Sequence, residues 1–143
     1  MSGKKGTRVT EASHPWLRQV DFPAFAALAP DQRYTQRLLD RTSGGERVGI
    51  SLIRTPAGQG SPEGLHTHDF EQVFYVVSGE MNVEIDGETF RAPAGSLIRF
   101  PQGIPHRNWN DEGASDTLHL AINVPAPPPG GGQPLAKPVR ESA

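Results

Sequence analysis

Glycine and proline fall along this chain as punctuation, making up 30 of its 143 residues. Both interrupt helices, Gly through backbone entropy and Pro through its missing N–H and its clash with the preceding turn. Between the breaks lie short stretches of alternating or β-rich character, such as Glu46 to Thr55 (ERVGISLIRT) and Thr117 to Val124 (TLHLAINV). Alternation of this kind buries one face of a strand. Asp86-Gly87, between Met81–Ile85 and Glu88–Arg91, is a favoured two-residue hairpin turn. Tyr34–Arg41, His66–Ser78, Leu97–Phe100 and His106–Asn110 read as further strands, separated by Thr42-Ser-Gly-Gly, Ser78-Gly79, Ala94-Gly95 and Pro101-Gln-Gly-Ile-Pro. The spacing predicts an all-β sandwich or barrel and argues against a helical bundle.

The strands occupy residues 34–124, leaving an N-terminal extension, 1–33, and a tail, 125–143. Within the extension, Trp16 to Ala29 (WLRQVDFPAFAALA) is apolar but interrupted by Pro23, so it cannot be one regular helix. It is expected to lie across the domain or to reach a neighbouring subunit. The tail, PAPPPGGGQPLAKPVRESA, has too little apolar surface for a core and reads as extended chain, draped on a partner subunit where one is present.

Composition narrows the function. The longest apolar run, Ala24 to Ala29, has six residues, far below the roughly 20 needed to cross a bilayer. No apolar stretch follows the basic start, and there are no cysteines to form disulfides, a thiolate nucleophile or a Cys-ligated metal site. A cytoplasmic protein without a membrane partner is expected. Net charge is −2 and the basic residues are scattered, which argues against nucleic acid and favours a small-molecule substrate.

Histidines carry the chemistry. His66 and His68 stand two apart in a β context, where i and i+2 side chains share a face. They present two imidazoles to one space, as a metal site needs, although a structural role in the core is the other reading. The same parity places Phe70, Gln72, Phe74 and Val76 on that face and Glu71, Val73, Tyr75 and Val77 on the other. Gln72 is a candidate ligand through its amide oxygen. Phe70, Phe74, Val76 and Ile98 either line an apolar pocket or form plain core. An inward-facing Arg54 or Arg99 could clamp a substrate carboxylate; facing outward, each is simply solvated. Trp109 should face away from His106, Asn108 and Asn110, and His14 carries no signal.

At this point the sequence resembles a known family, the cupin superfamily of small double-stranded β-helix (jelly-roll) barrels. Its first motif, G-x5-H-x-H-x3/4-E-x6-G, is matched by Gly60, His66-Thr-His68, Gln72 and Gly79. Its second, G-x5-P-x-G-x2-H-x3-N, is matched by Gly95, Pro101-Gln-Gly103, His106 and Asn110 with every spacing kept. The single departure is Gln72, where the family has Glu. The resemblance implies one divalent transition metal per chain, held by His66, His68, His106 and, with this change, Gln72. Iron, manganese, nickel, cobalt or zinc suit such nitrogen and oxygen ligands. Cupins with Gln at this position exist, among them hydroxynitrile lyases. A wholly neutral ligand set leaves the cation's charge uncompensated, which favours an anionic or enolisable substrate.

In a cupin barrel the last strand borders the pocket, making His119 the first choice for a group that moves a proton. Cupins also commonly dimerise, and a barrel of this size is marginal alone, so a homodimer with residues 16–29 against the partner is expected. The resemblance leaves three readings of function. The first is a dioxygenase acting on a small oxygen-chelating substrate. The second is a redox-neutral Lewis-acid lyase, isomerase or cyclase, toward which Gln72 tilts. The third is a non-catalytic ligand-binding module.

Overall fold

The computed structural model describes residues 16–128 and 136–139. His14 and the rest of the extension before Trp16 lie outside the described residues. Among the described residues, ten strands follow one short helix, α1 (Phe22–Ala26). The strands are β1 (Tyr34–Leu39), β2 (Gly49–Thr55), β3 (His66–Thr67), β4 (Glu71–Ser78) and β5 (Glu80–Ile85). They continue with β6 (Glu88–Pro93), β7 (Leu97–Phe100), β8 (His106–Trp109), β9 (Thr117–Val124) and β10 (Lys137–Pro138). They form two five-stranded antiparallel sheets, ordered β1-β2-β9-β4-β7 and β10-β3-β8-β5-β6. This is the expected double-stranded barrel.

Alternation decides which side chains fill it. In β7, Ile98 and Phe100 are buried while Leu97 and Arg99 are exposed; in β9, Thr117, His119 and Ala121 point inward. The core between the sheets gathers Ile53, Phe74, Val76, Met81, Val83, Ile98, Phe100 and smaller neighbours. At the β5–β6 hairpin both central residues have positive φ, Asp86 at 51° and Gly87 at 83°, the mirror-image turn whose twist suits an antiparallel pair.

Two sequence expectations change. His66 to Ser78 is not one stretch: β3 belongs to one sheet and β4 to the other, and the chain crosses between them at His68–Phe70. The inward parity survives the crossing, since His66, His68, Phe70, Gln72, Phe74 and Val76 are all buried. Of the tail, expected as extended chain draped on a partner subunit, residues 136–139 return to their own barrel. Lys137 and Pro138 pair with Thr67 and His66, the Val139 N–H donates to the Leu65 carbonyl, and Lys137 meets Asp69 at 2.6 Å. An edge strand offers unpaired backbone groups, and β3 satisfies its own by recruiting this segment.

Pro23 starts α1 rather than breaking a helix: it lies in the first turn, with Asp21 capping the Ala24 N–H. The adjoining backbone is held to the barrel, because Gln36 accepts from the Asp21 N–H and donates to the Asp21 carbonyl. Among the described residues no helix is long and apolar enough to cross a membrane.

Candidate metal centre

The site begins with a cross-strand pair. His66 on β3 stands directly opposite His106 on β8, and His68 follows on the same face. The three rings lie with centroids 4.5, 4.8 and 5.1 Å apart, and one nitrogen from each falls within 4.8 Å of the others. All three residues are buried, at 5, 7 and 2% exposure.

Backbone carbonyls orient two of the rings. His66 Nδ1 lies 2.6 Å from the Gly64 carbonyl, and His106 Nδ1 lies 3.0 Å from that of Ile104. Each carbonyl can accept only from a protonated Nδ1, which leaves Nε2 as the lone-pair donor. This is how ligating imidazoles are usually held. His106 Nε2 is buried without a hydrogen-bond partner, and a buried orphan of this kind calls for an occupant. Burial chiefly, with His66 and His68 adding to it and the Ile104 bond opposing, lowers the His106 pKa to about 4. The ring is therefore neutral at neutral pH, the form that binds metal. The residues present fit a divalent cation.

Gln72 on β4 reaches the same space from the other sheet. Its amide nitrogen donates to Asn123 Oδ1 at 2.9 Å, across the β4–β9 pairing. The amide oxygen is thereby the atom available to a cation. Gln72, His66, His68, Phe74, Ile53 and Asn108 wall a cavity of about 300 Å³, at the small end of ligand sites.

The remaining candidates separate. Phe74 is on the cavity wall, but Phe70 stacks on His68 at 4.6 Å and backs that ring instead. Val76 and Ile98 belong to the core between the sheets, not to the cavity. Neither Arg54 nor Arg99 enters it. Arg54 pairs with Asp116 at 2.7 Å and donates to the carbonyls of Ala29, Pro30 and Gln32, pinning that loop to the barrel. Arg99, flanked by inward Ile98 and Phe100, must face out, where it pairs with Glu71. Trp109 does face away from His106 and Asn108, with the Arg107 guanidinium 5.1 Å over its ring.

His119 points into the barrel interior, at 1% exposure, with its ring 4.2 Å from that of Phe74. It stands behind Phe74 rather than on the cavity wall. Neither of its nitrogens has a hydrogen-bond partner. Burial, with Arg33 adding to it, lowers its pKa to about 3, so it is uncharged at neutral pH.

Two charged wall residues escaped the sequence reading. Arg33, just before β1, and Glu63, in the loop before β3, both line the cavity. Neither belongs to an alternating run, so no periodic signal marked them. Asn108 on the wall follows from its position two residues after His106.

Comparisons with known proteins agree with this architecture. The cupin domain family matches residues 51–122. The polyketide synthase CurC of Streptomyces cyaneus is 35% identical over 82 residues, 56% of this chain and 51% of that protein. The chain thus spans about half the length of that curated relative. Among solved structures, the polyketide cyclase RemF from Streptomyces resistomycificus superposes with a TM-score of 0.63 at 23% identity, over 77% of this chain and 72% of that one. The DMSP lyase DddQ from Ruegeria pomeroyi gives 0.60 at 18% identity, over 76% and 52%. These two likenesses speak for the fold alone. The family match over half of the sequence, on a barrel of this topology, makes the chain a member of the cupin family.

Proposed function

We propose that the protein is a metal-dependent, redox-neutral enzyme that closes rings in an enolisable polyketone substrate. The observation that carries this reading is the His66–His68–His106 cluster, of which His66 and His68, with the amide of Gln72, stand on the wall of a small cavity. The names of a polyketide synthase and a polyketide cyclase among the similar proteins support it. The dioxygenase expectation gains no support from these relatives, and the redox-neutral alternative is taken instead.

In this reading His66, His68, His106 and Gln72 hold one divalent transition metal. When bound, that cation supplies Lewis acidity, favouring negative charge on a carbonyl oxygen of the substrate. Gln72 adds no charge to blunt it, and Asn123 keeps the amide turned the right way. Phe74 and Ile53 keep one side of the cavity apolar and limit water there. Glu63, the carboxylate on the wall, takes a proton from the carbon between two carbonyls. That carbon then bonds to a distant carbonyl carbon of the same chain, whose oxygen receives a proton. No electrons leave the substrate. His119, held neutral behind Phe74, keeps the interior uncharged instead of acting as the base.

The test is product analysis with metal-loaded protein and a linear polyketone, with and without dioxygen. A cyclised product of unchanged mass, or of that mass less water, formed equally well without oxygen, is expected. Oxygen consumption matched to product, or a gain of oxygen atoms, would return the reading to a dioxygenase.

A further inference from the structure

Arg33 is the charged wall residue whose chemistry the proposed reaction leaves unused. It lines the same cavity as His66, His68 and Gln72. Its Nε is buried without a hydrogen-bond partner. Arg54, Arg91, Arg99 and Arg107 each meet a carboxylate in an ion pair. Arg33 has none among the described residues, although Glu63 is close enough to favour its charged form against the cost of burial. A half-buried guanidinium with a buried donor unsatisfied carries a cost that an arriving partner would relieve. Its fork of N–H groups matches the two oxygens of a carboxylate. The histidines and Gln72 add no negative charge, and Glu63, the one carboxylate on this wall, forms no ion pair with Arg33 among the described residues.

We propose that Arg33 is the anion-recognition residue of this cavity and that the substrate carries a carboxylate which it binds, apart from the carbonyl oxygens handled at the histidine cluster. The inference rests on reading that cavity as the reaction site, and it narrows the substrate to a keto acid. It moves to Arg33 the role that the sequence offered to Arg54 and Arg99.

A matched pair of probes tests it: triacetic acid, a diketo carboxylate, and acetylacetone, the same diketone without the carboxylate. In full-length protein, with and without zinc, the Arg33 Nε–H resonance is followed by NMR during titration with each. It should shift with triacetic acid and stay in place with acetylacetone. In the zinc-loaded protein, Arg33→Met should weaken triacetic acid binding about tenfold or more, as expected for a lost charged hydrogen bond, and Arg33→Lys should restore part of it. Acetylacetone should bind wild type and variants alike. An Nε–H signal indifferent to both probes, or equal losses for both in the variants, overturns the proposal. The signal needs no variant, so a poorly folding Arg33→Met leaves the test intact. Ring closure without any Arg33 response would leave the proposed reaction standing and remove this inference. An Arg33 response without ring closure would do the reverse.

Discussion

At the scale of single residues, the candidate metal centre depends on imidazoles held in place, two of them, His66 and His106, by backbone carbonyls. Removing one imidazole from so small a set should be severe. His68→Ala is expected to lose most of its bound metal after purification, measured by elemental analysis, and unchanged metal content would remove His68 from the ligand set. Gln72→Glu places a negative charge where the amide oxygen stands and should retain metal against a chelator better than wild type. No gain in that competition would mean that Gln72 does not touch the cation. His119 makes a different kind of prediction. Its folded pKa, about 3, lies below the ordinary value of 6.5. Between those values the unfolded chain binds a proton that the native state does not, so stability falls as pH falls. Urea unfolding at about pH 7 and about pH 5 should show wild type losing roughly 2 kcal/mol more than His119→Gln over that step. His106, also depressed, contributes with the same sign in both proteins and cancels. Equal losses would mean that His119 is protonated in the native state.

Much of this residue chemistry was legible, because i, i+2 spacing transmits directly into a shared strand face. His66, His68, Phe70, Gln72, Phe74 and Val76 came out on one side for that reason. The same logic, applied to Ile98-Arg99-Phe100, already turns Arg99 outward. Arg33 and Glu63 were illegible, since their place at the cavity depends on where two irregular loops land. The interior orientation of His119 needed the β2–β9–β4 register, in which it stands between Ile53 and Val76.

At the scale of elements, close backbone approach constrains more than side-chain packing does. Gly60, the first residue of the first motif, bridges to Trp109, and the Ser61 N–H beside it donates to the Asn108 carbonyl. A Cβ on Gly60 would lie 2.3 Å from the Asn108 carbonyl oxygen and 2.7 Å from Trp109 Cβ. Since backbone has to shift, Gly60→Ala should cost about 1–3 kcal/mol, read as a lowered midpoint in denaturant. A midpoint equal to wild type would show that the loop yields without strain. Asn110 plays the complementary part: its amide donates to the carbonyls of Thr55 and Pro56 and to Thr117 Oγ1. It ties the end of β8 to β2 and β9. The spacing marks Asn110 as a motif position, and the structure shows its work to be structural. The split of His66–Ser78 between sheets left no mark in the sequence, because inward parity is kept on both sides of the crossing.

At the scale of the whole molecule, the extension presents two faces. Arg54 and Gln36 hold its backbone to the barrel, and Phe25 packs edge-on against Tyr34 at 5.0 Å. Trp16, Leu17 and Phe22 remain outside, at 87, 52 and 64% exposure. We expect these side chains to meet a second copy. Light scattering at micromolar concentration should return about twice 15.5 kDa for the full chain and a lower mass for one beginning at Asp31. A full-length mass of 15.5 kDa would overturn the dimer, and an unchanged dimer after truncation would clear the segment of any part in it.

The return of the tail to β3 also has a consequence for biosynthesis. Pro138 pairs with His66, and Ala136 helps to wall the cavity that Arg33 also lines. A nascent chain therefore displays Arg33 first and its histidines later, and it acquires the last wall only after Ala136 has been made. Metal could be taken up by a chain still on the ribosome once His106 has emerged. A cavity of the finished shape could not exist before the 136–138 segment is made, because non-local pairing must wait for both partners. Whatever this barrel binds, it meets a finished cavity only once Lys137 and Pro138 have joined β3.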